Sequence, residues 1–200
     1  MKTLVLVDLQ NDFCPGGALP VPHGDEAVSE ANRLVGQFEL VAATQDWHPP
    51  EHGSFAANHP GRQPGEIVRL AGLNQLLWPV HCVIGTPGAE FHPLLDRSRI
   101  ARVFQKGIDP QVDSYSGFFD NDHRRATGLD AFLRQAGATE LYVCGLATEY
   151  CVKFTALDAV ELGWPTYFVR SASRGVELIP GDIDRAIAEM REAGVQVVDL

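Results

Sequence analysis

Short apolar runs alternate with segments of helical periodicity along almost the whole chain, and few folds accept that order. The runs at 4–7, 40–44, 102–105, 140–144, 166–169 and 195–198 read as strands. Between them, 27–38 places Ala27, Val28, Ala31, Leu34, Val35 and Phe38 on one face of a helix. Further helices are expected at 129–136, 149–162 and 183–193, the last preceded by Pro180 and Gly181 and ended by Gly194, and a short one at 73–77. A run such as LVLV, apolar at every position, suits a strand covered on both faces. Helical connections between such strands make right-handed crossovers. The expectation is therefore an α/β fold, a doubly wound, mostly parallel six-stranded sheet with helices on both faces, whose ligands bind beyond the carboxyl ends of the strands. The 200 residues form one domain, 1–200, with no repeat or linker, long enough to bury roughly 70% of the surface of the unfolded chain without a disulfide or a metal.

A formal net charge of -10 and a pI near 5.0 argue against nucleic acid as a partner and favour a small neutral or cationic ligand. No apolar run is long enough to span a bilayer, and the short N-terminal one is followed at once by Asp8 and Asp12, unlike a signal peptide. Four cysteines without a pairing pattern fit free thiols in a reducing cytoplasm. A homo-oligomer is compatible with this composition.

Polar residues gather where the strands end. Gly145 to Leu157, GLATEYCVKFTAL, reads as a strand-to-helix turn with Thr148 as N-cap and Cys151 in the first helical turn, where free N–H groups and the helix dipole bias a thiol toward thiolate. Asp8 follows the first strand, at its rim, and Lys106 follows the third. Singly these are an ordinary loop aspartate, a solvated lysine and a small buried cysteine. Together they make an acyl-transfer set: a carboxylate to carry the thiol proton and an ammonium to favour the thiolate. Asp46 and His48 lie two apart at the end of the second strand, hence on one side of it, and His81 arrives from the WPVHC loop. One carboxylate with two imidazoles suits a divalent ion, zinc, iron or manganese, with positions left open; His52 is a candidate fourth ligand. His23, His59, His92 and His123 are read as surface or structural residues, and Cys14, Cys82 and Cys144 as packing.

The successive motifs DLQNDFCPGGAL, ATQDWHP with HGSFAANHPG, LWPVHCVIGTPGAEF, Lys106-Gly107, SYSGF and GLATEYCVKFTALDA resemble those of the nicotinamidase (pyrazinamidase) branch of the isochorismatase-like cysteine hydrolases. The resemblance implies that Cys151 is the nucleophile, Asp8 its proton carrier and Lys106 the third member of a triad. It implies a cis peptide just before Ala147, with the amides of Ala147 and Cys151 forming an oxyanion hole. It also implies that Asp46, His48 and His81 hold a metal that anchors the pyridine nitrogen of nicotinamide, with Phe13 and Trp78 packing the ring and Tyr115 and Tyr150 near the pocket. Two positions depart from the usual pattern: Ser171 stands where an aspartate is common, and Ile84 where a glutamine is common. The expected activity is hydrolysis of nicotinamide to nicotinic acid and ammonia. Two alternatives remain: an amidase of the same superfamily acting on a carbamoyl or ureido compound without the metal, and a non-catalytic nicotinamide- or metal-binding module.

Overall fold

β1 (Lys2–Val7) is apolar from Leu4 onward because both of its faces are covered there. In the computed structural model, which describes residues 1–200, Leu4 and Leu6 point into one cluster, with Ala27, Val28, Ala31 and Leu34 of α1 (Gly24–Leu34). Val5 and Val7 point into the other. That second cluster takes Leu129 and Leu133 from α2 (Leu129–Ala136), Ala156 and Ala159 from α3 (Lys153–Glu161), and Ile187 and Met190 from α4 (Asp182–Glu192). One helix thus covers one face of the sheet and three cover the other.

The remaining strands are β2 (Leu40–Asp46), β3 (Ile67–Leu70), β4 (Leu73–Leu76), β5 (Arg102–Lys106), β6 (Glu140–Leu146), β7 (Thr166–Arg174) and β8 (Gln196–Val198). Five of them join β1 in one six-stranded sheet in the order β5-β2-β1-β6-β7-β8, with every neighbouring pair parallel. The chain builds outward from β1 through β2 to β5, then crosses to β6 and builds the other way. The order therefore reverses between β1 and β6, where a crevice opens beyond the carboxyl ends. The register aligns Asp46 with Lys106 and Val7 with Gly145, so the residues that follow these strands converge on that crevice.

Three local expectations are corrected. The segment 73–77 is not a helix but β4, paired antiparallel with β3. The connecting Ala71 and Gly72 both have positive φ (49° and 90°), a two-residue hairpin turn whose twist matches the strands it joins. Second, the helix expected over 149–162 is divided into a π-helical turn, Thr148–Val152, and α3, with Tyr150 non-helical at φ -116°, ψ -106°. Third, Thr148 is not an N-cap, since Ala147 holds that position and no side chain caps the turn. Elsewhere β7 runs on to Arg174 through a register shift opposite Val143 and Gly145, and α1 ends at Leu34, with a 3₁₀ turn, Val35–Gln37, leading to buried Phe38.

Gly145 packs against β1 so closely that a Cβ there would lie 2.1 Å from the Val7 carbonyl oxygen, and its φ is +130°. Gly145→Ala is expected to lower stability by at least ~2 kcal/mol, read as a reduced urea midpoint with an unchanged slope.

Candidate active site

The chain leaves β1 through Asp8, whose φ of 50° turns it sharply out of the strand. Its carboxylate lies at the end of the strand and is fully buried (0% exposed). Thr44 donates a 2.6 Å hydrogen bond to Asp8 Oδ1. Lys106 is buried as well (2% exposed), and its Nζ meets four atoms: Asp46 Oδ1 at 2.5 Å, Asp8 Oδ2 at 2.9 Å, the Ser114 carbonyl at 2.9 Å and Cys151 Sγ at 3.3 Å. The three residues read from separate strand ends are thus brought together around one ammonium.

Burial works against the Lys106 charge, but Asp46 and then Asp8 outweigh it and hold the ammonium well above its usual range. The two carboxyls are pushed apart. Burial raises Asp8 above the ordinary carboxylate value; Lys106 opposes this without cancelling it, and the Asp46 charge adds to the rise. Burial acts on Asp46 in the same sense, yet Lys106 and His48 prevail and keep it ionised well below the usual range. The divergence leaves Asp8 with the higher proton affinity of the two and Asp46 as the charged partner of Lys106. Burial is the largest influence on Cys151 and pushes the thiol well up; Lys106 opposes this, and the two carboxylates reinforce it, so the bias toward thiolate at the start of the turn is opposed by burial.

The second constellation also assembles. Asp46 Oδ2 lies 3.4 Å from His48 Nε2 and 3.7 Å from His81 Nε2. Each ring donates its Nδ1–H to a backbone carbonyl, His48 to Gly107 at 2.8 Å and His81 to Pro79 at 2.8 Å. That fixes the tautomer and leaves both Nε2 lone pairs facing the carboxylate. Two lone pairs and an anionic oxygen need a cation between them, and donors ~2.1 Å from a tetrahedral ion lie ~3.4 Å apart, so the residues fit a divalent metal. His48 is raised above its ordinary value by Asp46, against the effect of burial, so a proton is attracted to the same place. His52 is grouped with His48 and Asp113 rather than with the Asp46 set. Burial pushes it down to about 4, and its buried Nε2 has no partner.

Between the two constellations lies a cleft of about 430 Å³. Phe13, Trp78, Tyr115 and Tyr150 all line it, with Ala147, Cys151, Asp46 and His81. Trp78 stands edge-on to Tyr150 (4.9 Å, 86°) and donates from Nε1 to the Tyr115 hydroxyl at 3.1 Å. The Leu146–Ala147 peptide is cis. Of the two departures from the family pattern, Ser171 exchanges hydrogen bonds with the backbone of Leu200, away from the cleft, and Ile84 is exposed, its N–H bonded to the His48 carbonyl at 2.9 Å.

Supporting residues went unrecognised in the sequence. Buried Gln10 donates to the carbonyls of Asp46 and Ala89 and accepts from the Asp46 N–H, all at 2.8 Å, and so clamps the β2 end. Asp12 accepts from the Cys82 N–H at 2.7 Å and ties down the loop carrying His81. Leu19, Val21 and Val176 supply apolar wall. For Gln10 and Asp12 the one signal was position, in the same loop as Asp8.

The isochorismatase domain pattern matches residues 2–200. A nicotinamidase of Escherichia coli (strain K12) is 52% identical over 203 residues, covering 100% of this chain and 95% of that protein. Among solved structures, an Acinetobacter baumanii nicotinamidase and pyrazinamidase superposes with a TM-score of 0.95 at 44% identity, covering 99% of this chain and 95% of that one. A Pyrococcus horikoshii pyrazinamidase in complex with zinc gives 0.81 at 38% identity, covering 100% and 99%. The chain belongs to the isochorismatase family and, within it, to the nicotinamidases.

Two outcomes follow from this geometry. A Cβ on Gly107, where φ is +67°, would lie 2.3 Å from His48 Cε1. Gly107→Ala should therefore weaken metal binding ~10-fold or more, measured by chelator competition. Lys106→Met leaves two buried carboxylates without a counter-charge; in metal-free protein it should cost ~3–5 kcal/mol at neutral pH by urea denaturation.

Proposed function

We propose that this chain is a metal-dependent nicotinamidase that converts nicotinamide to nicotinic acid and ammonia through a cysteine thioester, and that it also accepts pyrazinamide. The observation carrying this reading is the Lys106 ammonium in contact with Cys151 and both carboxylates. Asp8, with its raised proton affinity, takes the Cys151 proton as Sγ attacks the carboxamide carbon. The backbone N–H groups of Ala147 and Cys151, both at the cleft wall, receive the developing oxyanion. Asp8 then delivers the proton to the departing nitrogen, which leaves as ammonia. In the second half Asp8 takes a proton from water as its oxygen attacks the thioester, and Cys151 regains a proton as nicotinic acid forms. Lys106 holds the carboxylate and sulfur in register throughout.

Asp46, His48 and His81 would hold one divalent ion, zinc by the donor set and by the zinc complex of the Pyrococcus relative, and it would supply an electrophilic anchor for the pyridine nitrogen. Phe13 and Trp78 pack the ring, with Tyr115 and Tyr150 closing the cleft. No helix is long and apolar enough to cross a membrane, and all four cysteines are free. We place the enzyme in the cytoplasm, as a single domain serving NAD salvage, with a small molecule rather than nucleic acid as its partner; a homo-oligomer is compatible with the reading.

Purified, metal-loaded protein should release ammonia from nicotinamide and pyrazinamide. Cys151→Ala and Asp8→Asn should each lower kcat by about a thousandfold or more, and chelation should abolish turnover until zinc, manganese or iron is restored. Hydrolysis of ureido compounds by chelated protein would point instead to the carbamoyl amidases, and nicotinamide binding without any ammonia to a binding module.

A further inference from the structure

Glu149 is buried (5% exposed) in the π-helical turn that carries Cys151, yet nothing in the chemistry above uses it. Its Oε1 accepts two backbone N–H groups from a segment distant in the chain, Val176 at 2.8 Å and Glu177 at 2.6 Å. These residues belong to the loop between β7 and α4, and Val176 lines the cleft beside Ala147, Tyr150 and Cys151. The approach is tight. A Cβ on Gly175 would lie 2.6 Å from Glu149 Oε2 and 2.6 Å from Ile183 Cδ1, so a side chain there would press directly on the carboxylate. Glu177 has a φ of 52°, and its own side chain accepts the Gly181 N–H at 2.9 Å just before α4 begins. The loop is thus pinned by Glu149 at one end and braced against α4 at the other.

We propose that Glu149 is a positioning residue: by gripping the Val176 and Glu177 backbone from the turn that carries Cys151, it sets the spacing between the nucleophile and the apolar wall formed by Val176. A flat heteroaromatic ring has no flexible tail to fill a widened cleft, so its binding depends on that spacing more than the intrinsic chemistry does. The two N–H groups need an acceptor oxygen, not a charge, and a glutamine could supply one. This rests on the reading of Cys151 as the nucleophile toward a pyridine carboxamide.

The test compares Glu149→Ala and Glu149→Gln with the wild type in metal-loaded protein, by steady-state kinetics with nicotinamide and by amide hydrogen exchange. Glu149→Ala should raise KM about tenfold while kcat stays within about threefold, and the amides of Val176 and Glu177 should lose their protection. Glu149→Gln should return both KM and protection to near wild-type values, which a residue needed only for stability would not do. The proposal falls if Glu149→Ala leaves KM and exchange unchanged, if it lowers kcat alone, or if Glu149→Gln behaves like alanine. Should the alanine variant not fold, wild-type exchange at 176 and 177 as fast as at exposed Leu178 would overturn the proposal. Should the wild type leave nicotinamide intact, the substrate reading fails, and the exchange comparison still decides whether Glu149 holds the wall.

Discussion

One ammonium, that of Lys106, makes the rest of the site possible. Asp8 and Asp46 are buried close together, and without a cation between them neither could stay ionised away from water. Its placement depends on the sheet: β5 pairs with β2 in the register that sets Lys106 beside Asp46. It also divides the work of the carboxylates. One ammonium cannot stabilise two anions equally, so the better-partnered Asp46 stays ionised while Asp8 gains affinity for a proton. A buried ion pair contributes little to net stability. Here it sets which of the two carboxyls has the higher proton affinity.

Much of the fold was legible because parallel strands covered on both faces leave uninterrupted apolar runs, and helices such as α1 leave a clear periodicity. Because the ends of parallel strands share one edge, the sequence alone gathers Asp8, Asp46, Lys106 and the Cys151 turn at one place. What was lost depends on tertiary context. The LNQL run of β4 is apolar enough for either a helix or a strand, and only pairing with β3 across Ala71 and Gly72 decides. The π turn at Thr148–Val152 leaves no mark in residue periodicity.

The site residues show the same division. Residue type and spacing announced the donors Asp46, His48 and His81. The proton affinity of Cys151 depends on burial, on Lys106 and on two neighbouring carboxylates, none of which the local sequence around it reveals. Gln10, Asp12 and Glu149 escaped notice because their partners are backbone groups distant in the chain, which no motif encodes.

Asp46 gives one oxygen to each half of the site: Oδ1 to Lys106, Oδ2 toward the two imidazoles. The halves therefore share a single reservoir of negative charge. A cation held among the imidazoles draws on the carboxylate that also steadies the ammonium, and any change in the charge around that ammonium is felt by the cation in equal measure. Occupancy on one side and proton distribution on the other are reciprocal, so an ion placed among the imidazoles would also shift the proton affinities of Asp8, Lys106 and Cys151.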